Sequence, residues 1–126
     1  MSASPRRLLL VDDDSKLLWV MERFFRAQGF EVHGARDLRT AEDALASTRF
    51  HLVITDLRLL ESEEGLVVVH AARRGSPPVP VIVLTECDLP EVAAIAEKLG
   101  ASRVLAKPQS LMELLGVARD VLEPAC

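Results

Sequence analysis

The sequence predicts an α/β fold in which five parallel strands alternate with five helices. Three observations carry that prediction. Residues 8–11, 52–55 and 81–84 are apolar on nearly every consecutive position, the pattern of strands covered on both faces. Helical stretches between the strand-like runs close on Gly29, Gly75 and Gly100. Polar residues then stand just beyond four such runs: Asp12 and Asp13, Asp56, Thr85 and Lys107. In a parallel sheet those positions converge on one edge, where open α/β folds bind ligands.

The elements follow in order. After the strand at 8–11, a helix begins behind Asp14 and Ser15 and stops at Gly29. At about 100° per residue, Leu17, Val20, Met21 and Phe24 are its expected buried stripe, with Leu18 and Phe25 flanking and Trp19 nearly opposite. The run at 30–33 is short and mixed, as edge strands are, and a second helix starts near Asp37. The third strand, 52–55, leads to a helix ending at Gly75, and the Pro-rich segment 76–80 connects it to the fourth strand, 81–84. The fourth helix is expected from Asp88, with Pro90 in its first turn, to Gly100. A second mixed run, 103–106, is the other edge strand. Ser110 and Glu113 form a capping box for the last helix, which aligns Leu111, Leu114, Leu115, Ala118 and Leu122. Mixed second and fifth strands around three apolar ones imply the order 2-1-3-4-5.

A chain of 126 residues suits one domain spanning 1–126, with an ordered core expected over about 6–123. Its 49% hydrophobic and 27% charged composition argues against disorder, and no apolar run approaches the roughly 20 residues that span a bilayer. The net charge of −4 and the dispersed basic residues, Arg6-Arg7 and Arg73-Arg74 apart, argue against direct nucleic-acid binding. The N-terminus lacks the features of a secretory signal, so a cytoplasmic location is the expectation. Cys87 and Cys126 make no C-x-x-C pair and read as thiols; His33, His51 and His70 lack ligand spacing.

Three carboxylates brought together at Asp12, Asp13 and Asp56 repel one another, which raises at least one pKa unless a cation intervenes. A hard divalent ion such as Mg²⁺ relieves that conflict and leaves coordination sites for a phosphoryl oxygen. Lys107 adds a second positive charge and Thr85 a hydroxyl donor, a set suited to stabilising charge on a transferring phosphoryl group.

The motifs VDDD, TDL, VIVLTE and LAKP, in that order, resemble the receiver domain of bacterial two-component response regulators over essentially the whole chain. The resemblance implies a flavodoxin-like, doubly wound (βα)5 fold. It implies that Asp56 accepts a phosphoryl group from the phosphohistidine of a histidine kinase or histidine phosphotransfer protein. Mg²⁺ would be held by Asp12, through water, by Asp13 and Asp56, and by the backbone carbonyl of Arg58. Thr85 would be the switch hydroxyl and Lys107 the phosphate-pairing lysine, joined to Pro108 by a cis bond. Such a domain is not a turnover enzyme, since it catalyses only its own phosphorylation and dephosphorylation. By the same resemblance, Trp19 and Leu18 on helix 1 would dock a kinase helix. Helix 4, strand 5 and helix 5, with Ala94, Val104 and Met112, would contact a second copy or a downstream protein. The chain ends just after helix 5, so no output domain is expected in it, whether it stands alone or is excised from a longer regulator.

The pattern departs from the family in two places. After Asp56, Leu60 and Glu64 occupy the positions usual for Pro and Gly, and the glycine comes one residue late as Gly65. Glu61, Glu63 and Glu64 would complement the dipole of helix 3, or one would approach the site and weaken Mg²⁺ binding. At the switch, Val104 replaces the usual Tyr or Phe, Glu86 replaces the small residue after the threonine, and Cys87 is a rim residue. These departures support a rival reading as a pseudo-receiver that signals without phosphorylation. Another rival is a haloacid-dehalogenase-like phosphatase, built on Asp12 and Asp14, which leaves Asp56 without a role.

Overall fold

The computed structural model describes residues 5–59, 64–86, 90–107 and 110–123. Strands β1 (Arg7–Val11), β2 (Glu31–Ala35), β3 (Leu52–Asp56), β4 (Val81–Thr85) and β5 (Arg103–Ala106) alternate with helices α1 (Ser15–Ala27), α2 (Leu38–Ser47), α3 (Gly65–Arg73), α4 (Pro90–Lys98) and α5 (Leu111–Leu122). The strands form one parallel sheet in the order β2-β1-β3-β4-β5, as the apolar and mixed runs imply.

Strand pleating divides the core into two layers, because successive side chains point to opposite faces. Leu9, Val11, Val53, Val81 and Val83 pack with Ala41 of α2, Val68 and Val69 of α3 and Ala96 of α4. Leu8, Leu10, Leu52, Ile54, Ile82 and Leu84 pack on the other face with Leu18, Met21 and Phe25 of α1 and Leu114, Leu115 and Ala118 of α5. Both faces are therefore covered, which is why the central strands carry no polar alternation.

Helix ends follow the capping residues. Asp14 accepts from the backbone N–H groups of Lys16 and Leu17, Asp37 from that of Thr40, and Ser110 from that of Glu113. Gly29 takes a left-handed φ of 97° just past the end of α1, where a side chain would be strained. The buried stripe of α1 differs from the periodicity reading. Leu18, Met21 and Phe25 are buried, Leu17 and Phe24 are half-buried, and Val20 is exposed. Six apolar residues spread over about 160° of this helix's circumference, at about 100° per residue, wider than the stripe that is buried, so periodicity alone leaves its rotation loose by a residue. Trp19 faces solvent at 59% exposure, as expected.

β2 also lies later than the run at 30–33, ending at Ala35, because backbone pairing with β1 continues through Gly34 where the apolar pattern has lapsed. The expected Asp88 start of α4, the Lys107–Pro108 bond, Leu60, Glu61, Glu63, Cys87 and Cys126 lie outside the described residues. No described helix is long and apolar enough to cross a membrane.

Candidate functional site

Register carries the chemistry to one edge. Val11 pairs with Thr55, Asp56 with Leu84, and Thr85 with Ala106, so the residues that end β1, β3, β4 and β5 stand at neighbouring levels. The ladder continues beyond the strands and fixes the flanking backbone. Asp12 N–H donates to Ala35 O at 3.0 Å, Leu57 N–H to Leu84 O at 2.8 Å, and Lys107 N–H to Thr85 O at 2.7 Å.

Alternation then selects the face. Asp12 follows Leu8 and Leu10, and Asp56 follows Leu52 and Ile54, so both carboxylates belong to the side of the sheet covered by α1 and α5. There they line a cavity of about 680 Å³ with Asp13, Asp14, Glu86 and Lys107, walled by Leu17, Met21, Leu84, Leu111 and Leu114. Carboxylate oxygens of Asp12, Asp13 and Asp56 all lie within 4.8 Å of one another. Lys107 Nζ donates to Asp56 Oδ2 at 3.1 Å and reaches Asp12 Oδ2 at 3.5 Å.

Burial decides the electrostatics. Asp12 is 1% exposed, and burial pushes its pKa above the ordinary carboxylate value, against the opposing pull of the Asp14 N–H and the Lys107 charge. Asp56 is raised for the same first reason, although Lys107 and the backbone N–H of Arg58 hold it down. Burial alone would lower Lys107, but the adjoining carboxylates Asp12 and Asp56 outweigh it and raise its pKa. The site therefore holds more negative charge than one ammonium compensates. Three converging hard oxygen donors, two of them reluctant to ionise because of burial, fit a divalent cation of the Mg²⁺ or Ca²⁺ type.

Asp12 has a second task. Its Oδ1 accepts the Asp14 N–H at 2.9 Å, which turns the chain from β1 into the cap of α1. Asp14 in turn spends its carboxylate on that cap, although it also borders the cavity. Arg58 is exposed beside the site, and its backbone N–H donates to the Asp56 carboxylate.

Thr85 is placed differently. It is buried at the end of β4 and shares a strand face with Val81 and Val83, whereas its neighbours Leu84 and Glu86 line the cavity. Glu64 takes the N-cap position of α3 without a side-chain cap bond and is not part of the cavity lining.

Gly65 holds the altered loop against β3. Its N–H donates to Leu57 O at 2.9 Å, and a Cβ there would collide with the Asp56 carbonyl and come within 2.6 Å of Leu57 O. The glycine that arrives one residue late thus starts α3 in close contact with the strand end that carries Asp56. Its role as a backbone contact was hidden because a glycine in sequence does not reveal what approaches it. The cavity walls Leu17, Leu84 and Leu111 were likewise legible only as core residues, since apolar periodicity does not distinguish a packed neighbour from a lined void.

Comparison with known proteins agrees with this architecture. The model of the response regulator receiver domain family matches residues 8–119. The response regulator MprA of Mycolicibacterium vanbaalenii is 34% identical over 118 residues, which cover 94% of this chain and 51% of that protein. Among solved structures, a CheY-like receiver domain protein of Methanospirillum hungatei is 25% identical with a TM-score of 0.89, covering 95% of both chains. Chemotaxis response regulator CheY4 of Vibrio cholerae is 28% identical with a TM-score of 0.85, covering 94% of this chain and 99% of the other. The chain spans about half the length of the curated relatives MprA and PetR. By fold, by motif order and by the family match, the chain belongs to the response regulator receiver domain family.

Proposed function

We propose that the chain accepts a phosphoryl group on Asp56 from a phosphohistidine of a histidine kinase or histidine phosphotransfer protein, and that the modification changes which partners it binds. The observation that carries this reading is the sharing of Lys107 between Asp56 and Asp12, with Asp13 alongside. In the transfer, an Asp56 carboxylate oxygen bonds to phosphorus as the donor's N–P bond breaks. The nitrogen keeps the bonding pair and, with the other ring nitrogen protonated, leaves as neutral imidazole. Lys107 is set to follow the phosphoryl oxygens, because it already spans the attacking carboxylate and its neighbour.

Asp12, Asp13 and Asp56 would hold Mg²⁺, with the Arg58 carbonyl as a further ligand. When bound, the ion supplies positive charge that offsets both the crowded carboxylates and the phosphoryl oxygens. Thr85 is the proposed switch hydroxyl at the end of β4, the strand beside the β3 end that carries Asp56. Val104 is half-buried against the core on the α4 side, so a switch at Thr85 would proceed without an aromatic ring.

Two surfaces fit the partners. On α1, Trp19 and Val20 are exposed, and the Arg23 guanidinium lies 4.8 Å from the centre of the Trp19 ring. This aromatic and basic face is the proposed kinase docking site, without Leu18, which is buried. Ile95, Leu99 and Met112 are exposed on α4, its end and α5, where a second copy or a downstream protein would bind. We infer one receiver unit over 1–126 acting in the cytoplasm, where ATP-charged histidine kinases supply such donors.

Transfer of label from a phosphorylated kinase to the wild type, and none to Asp56→Asn, would establish the acceptor. A phosphoryl-independent binding module is the second reading, favoured by Val104 in place of an aromatic residue. Equal partner binding by wild type and Asp56→Asn under phosphorylating conditions would favour it. The phosphatase reading is set aside, because Asp14 caps α1 and the family match accounts for Asp56.

A further inference from the structure

The mouth of the cavity carries one charge that neither cation binding nor helix capping uses. Glu86 follows Thr85, is exposed, and lines the cavity with Asp12, Asp13, Asp14 and Asp56. Among the described residues of that lining, Lys107 is the one cation, and Asp56 and Asp12 already share it. The converging oxygens that fit a divalent ion belong to Asp12, Asp13 and Asp56, and Asp14 is spent on the first turn of α1. Glu86 stands apart from both groups. Even a bound divalent cation would leave this lining net negative, so an arriving phosphoryl donor meets repulsion at the rim before it meets Asp56.

We propose that Glu86 is a specificity-determining residue that disfavours small, free, dianionic phosphodonors. Transfer is thereby biased toward a phosphohistidine presented on a protein surface, whose approach is not governed by the charge of a free dianion. This inference rests on Asp56 being the acceptor. With a small acyl phosphate the Asp56 oxygen bonds to phosphorus, the P–O bond to the acyl group breaks, and the acyl carboxylate leaves with the bonding pair. Glu86 takes no part in that exchange. It acts on the approach of the donor, so its effect belongs in the apparent donor affinity rather than in the saturated rate.

One charge acting on a dianion at roughly 8 Å, through a medium close to water, changes encounter by about threefold to tenfold at low ionic strength. At roughly 0.5 M salt the screening length falls to about half that separation, and most of the effect is lost.

The test measures phosphoryl adduct formation by intact mass against donor concentration, with saturating Mg²⁺, for wild type, Glu86→Gln and Glu86→Asp. Acetyl phosphate is the dianionic donor and phosphoramidate the less charged one. Glu86→Gln should lower the apparent acetyl phosphate constant about threefold to tenfold at low salt, with a smaller change for phosphoramidate and an unchanged saturated rate. Glu86→Asp should behave as wild type, and high salt should bring all three within about twofold. Equal donor constants for wild type and Glu86→Gln, or a gain of the same size at high salt, would overturn the role of Glu86 and leave Asp56 as the acceptor. No adduct in any of the three proteins with either donor or with a phosphorylated kinase would overturn the phosphoacceptor reading and this inference with it.

Discussion

The Lys107 ammonium lies 3.1 Å from Asp56 Oδ2, close enough to donate to the carboxylate at the end of β3 from the residue that follows β5. Two strands that are not neighbours in the sheet are thus tied at its edge by a charge-assisted bond. Asp12, at 3.5 Å from the same nitrogen, makes the arrangement a three-residue unit.

Replacing Lys107 by Met should expose how much that unit depends on one cation. Asp12 and Asp56 would keep their burial and lose the charge that opposes it. Unfolding by urea in metal-free buffer should show a loss of about 1–3 kcal/mol, since the pair is only partly shielded from solvent. Adduct formation from acetyl phosphate should slow by about tenfold or more.

Asp12→Asn should act in the opposite direction on stability. The amide oxygen keeps the Asp14 N–H, while the desolvated charge disappears. In the presence of a chelator the melting temperature should rise by a few degrees, about what 1 kcal/mol gives in a chain of this size. Mg²⁺ should then raise it less than it raises the wild type.

The raised acids also set a pH dependence. Between the ordinary value of 3.8 and their folded values, Asp12 and Asp56 bind protons more tightly folded than unfolded. Stability of the metal-free protein should therefore fall as pH rises through that window, and stay lower above it. Asp37 has the reverse sign, because its bond to the Thr40 N–H lowers its pKa and its stabilisation is lost on acidification. Lys107, raised by its carboxylates, stabilises at neutral pH and loses that contribution as pH climbs through its folded value. Chemical denaturation of wild type and Asp12→Asn across the acid range, with chelator, would isolate the first effect as a shallower fall in the variant.

Most of this fold was legible because the central strands are apolar on both faces. Leu8, Leu9 and Leu10 can be read as buried without knowing which helix covers which one. The same logic failed on α1, where Leu17, Leu18, Val20, Met21, Phe24 and Phe25 form an arc wider than the buried stripe and only the position of the sheet chooses Leu18 over Val20. Asp12, Asp13, Asp56 and Lys107 were found from their places at strand ends, and register brings them together. Thr85 likewise stands at the end of β4, on the strand face of Val81 and Val83.

Gly65 and Gly116 give a paired test of backbone packing. A Cβ on Gly65 would meet Leu57 Cα at 2.7 Å, so Gly65→Ala must displace the start of α3 or the end of β3. The expected loss is about 1–3 kcal/mol, with weaker Mg²⁺ binding because Asp56 shares the disturbed backbone. A Cβ on Gly116 in α5 meets nothing within 4 Å, and Gly116→Ala should stabilise by about 0.5–1 kcal/mol. Urea unfolding and Mg²⁺ titration of both variants would check the contrast.

Trp19→Ala separates docking from chemistry. Trp19 lies on the exposed face of α1, outside the residues that line the site. Transfer from the cognate phosphorylated kinase should slow by about tenfold, consistent with loss of an aromatic anchor, while adduct formation from acetyl phosphate stays as in wild type. Parallel kinetics with the two donors would show the difference.

The most direct test of the account is the intact mass after incubation with acetyl phosphate, with and without Mg²⁺, for wild type and Asp56→Ala. One phosphoryl adduct that requires both Mg²⁺ and Asp56 is the predicted result. A folded wild-type protein that gains no adduct from acetyl phosphate, phosphoramidate or a phosphorylated kinase would contradict it. So would an adduct that persists in Asp56→Ala.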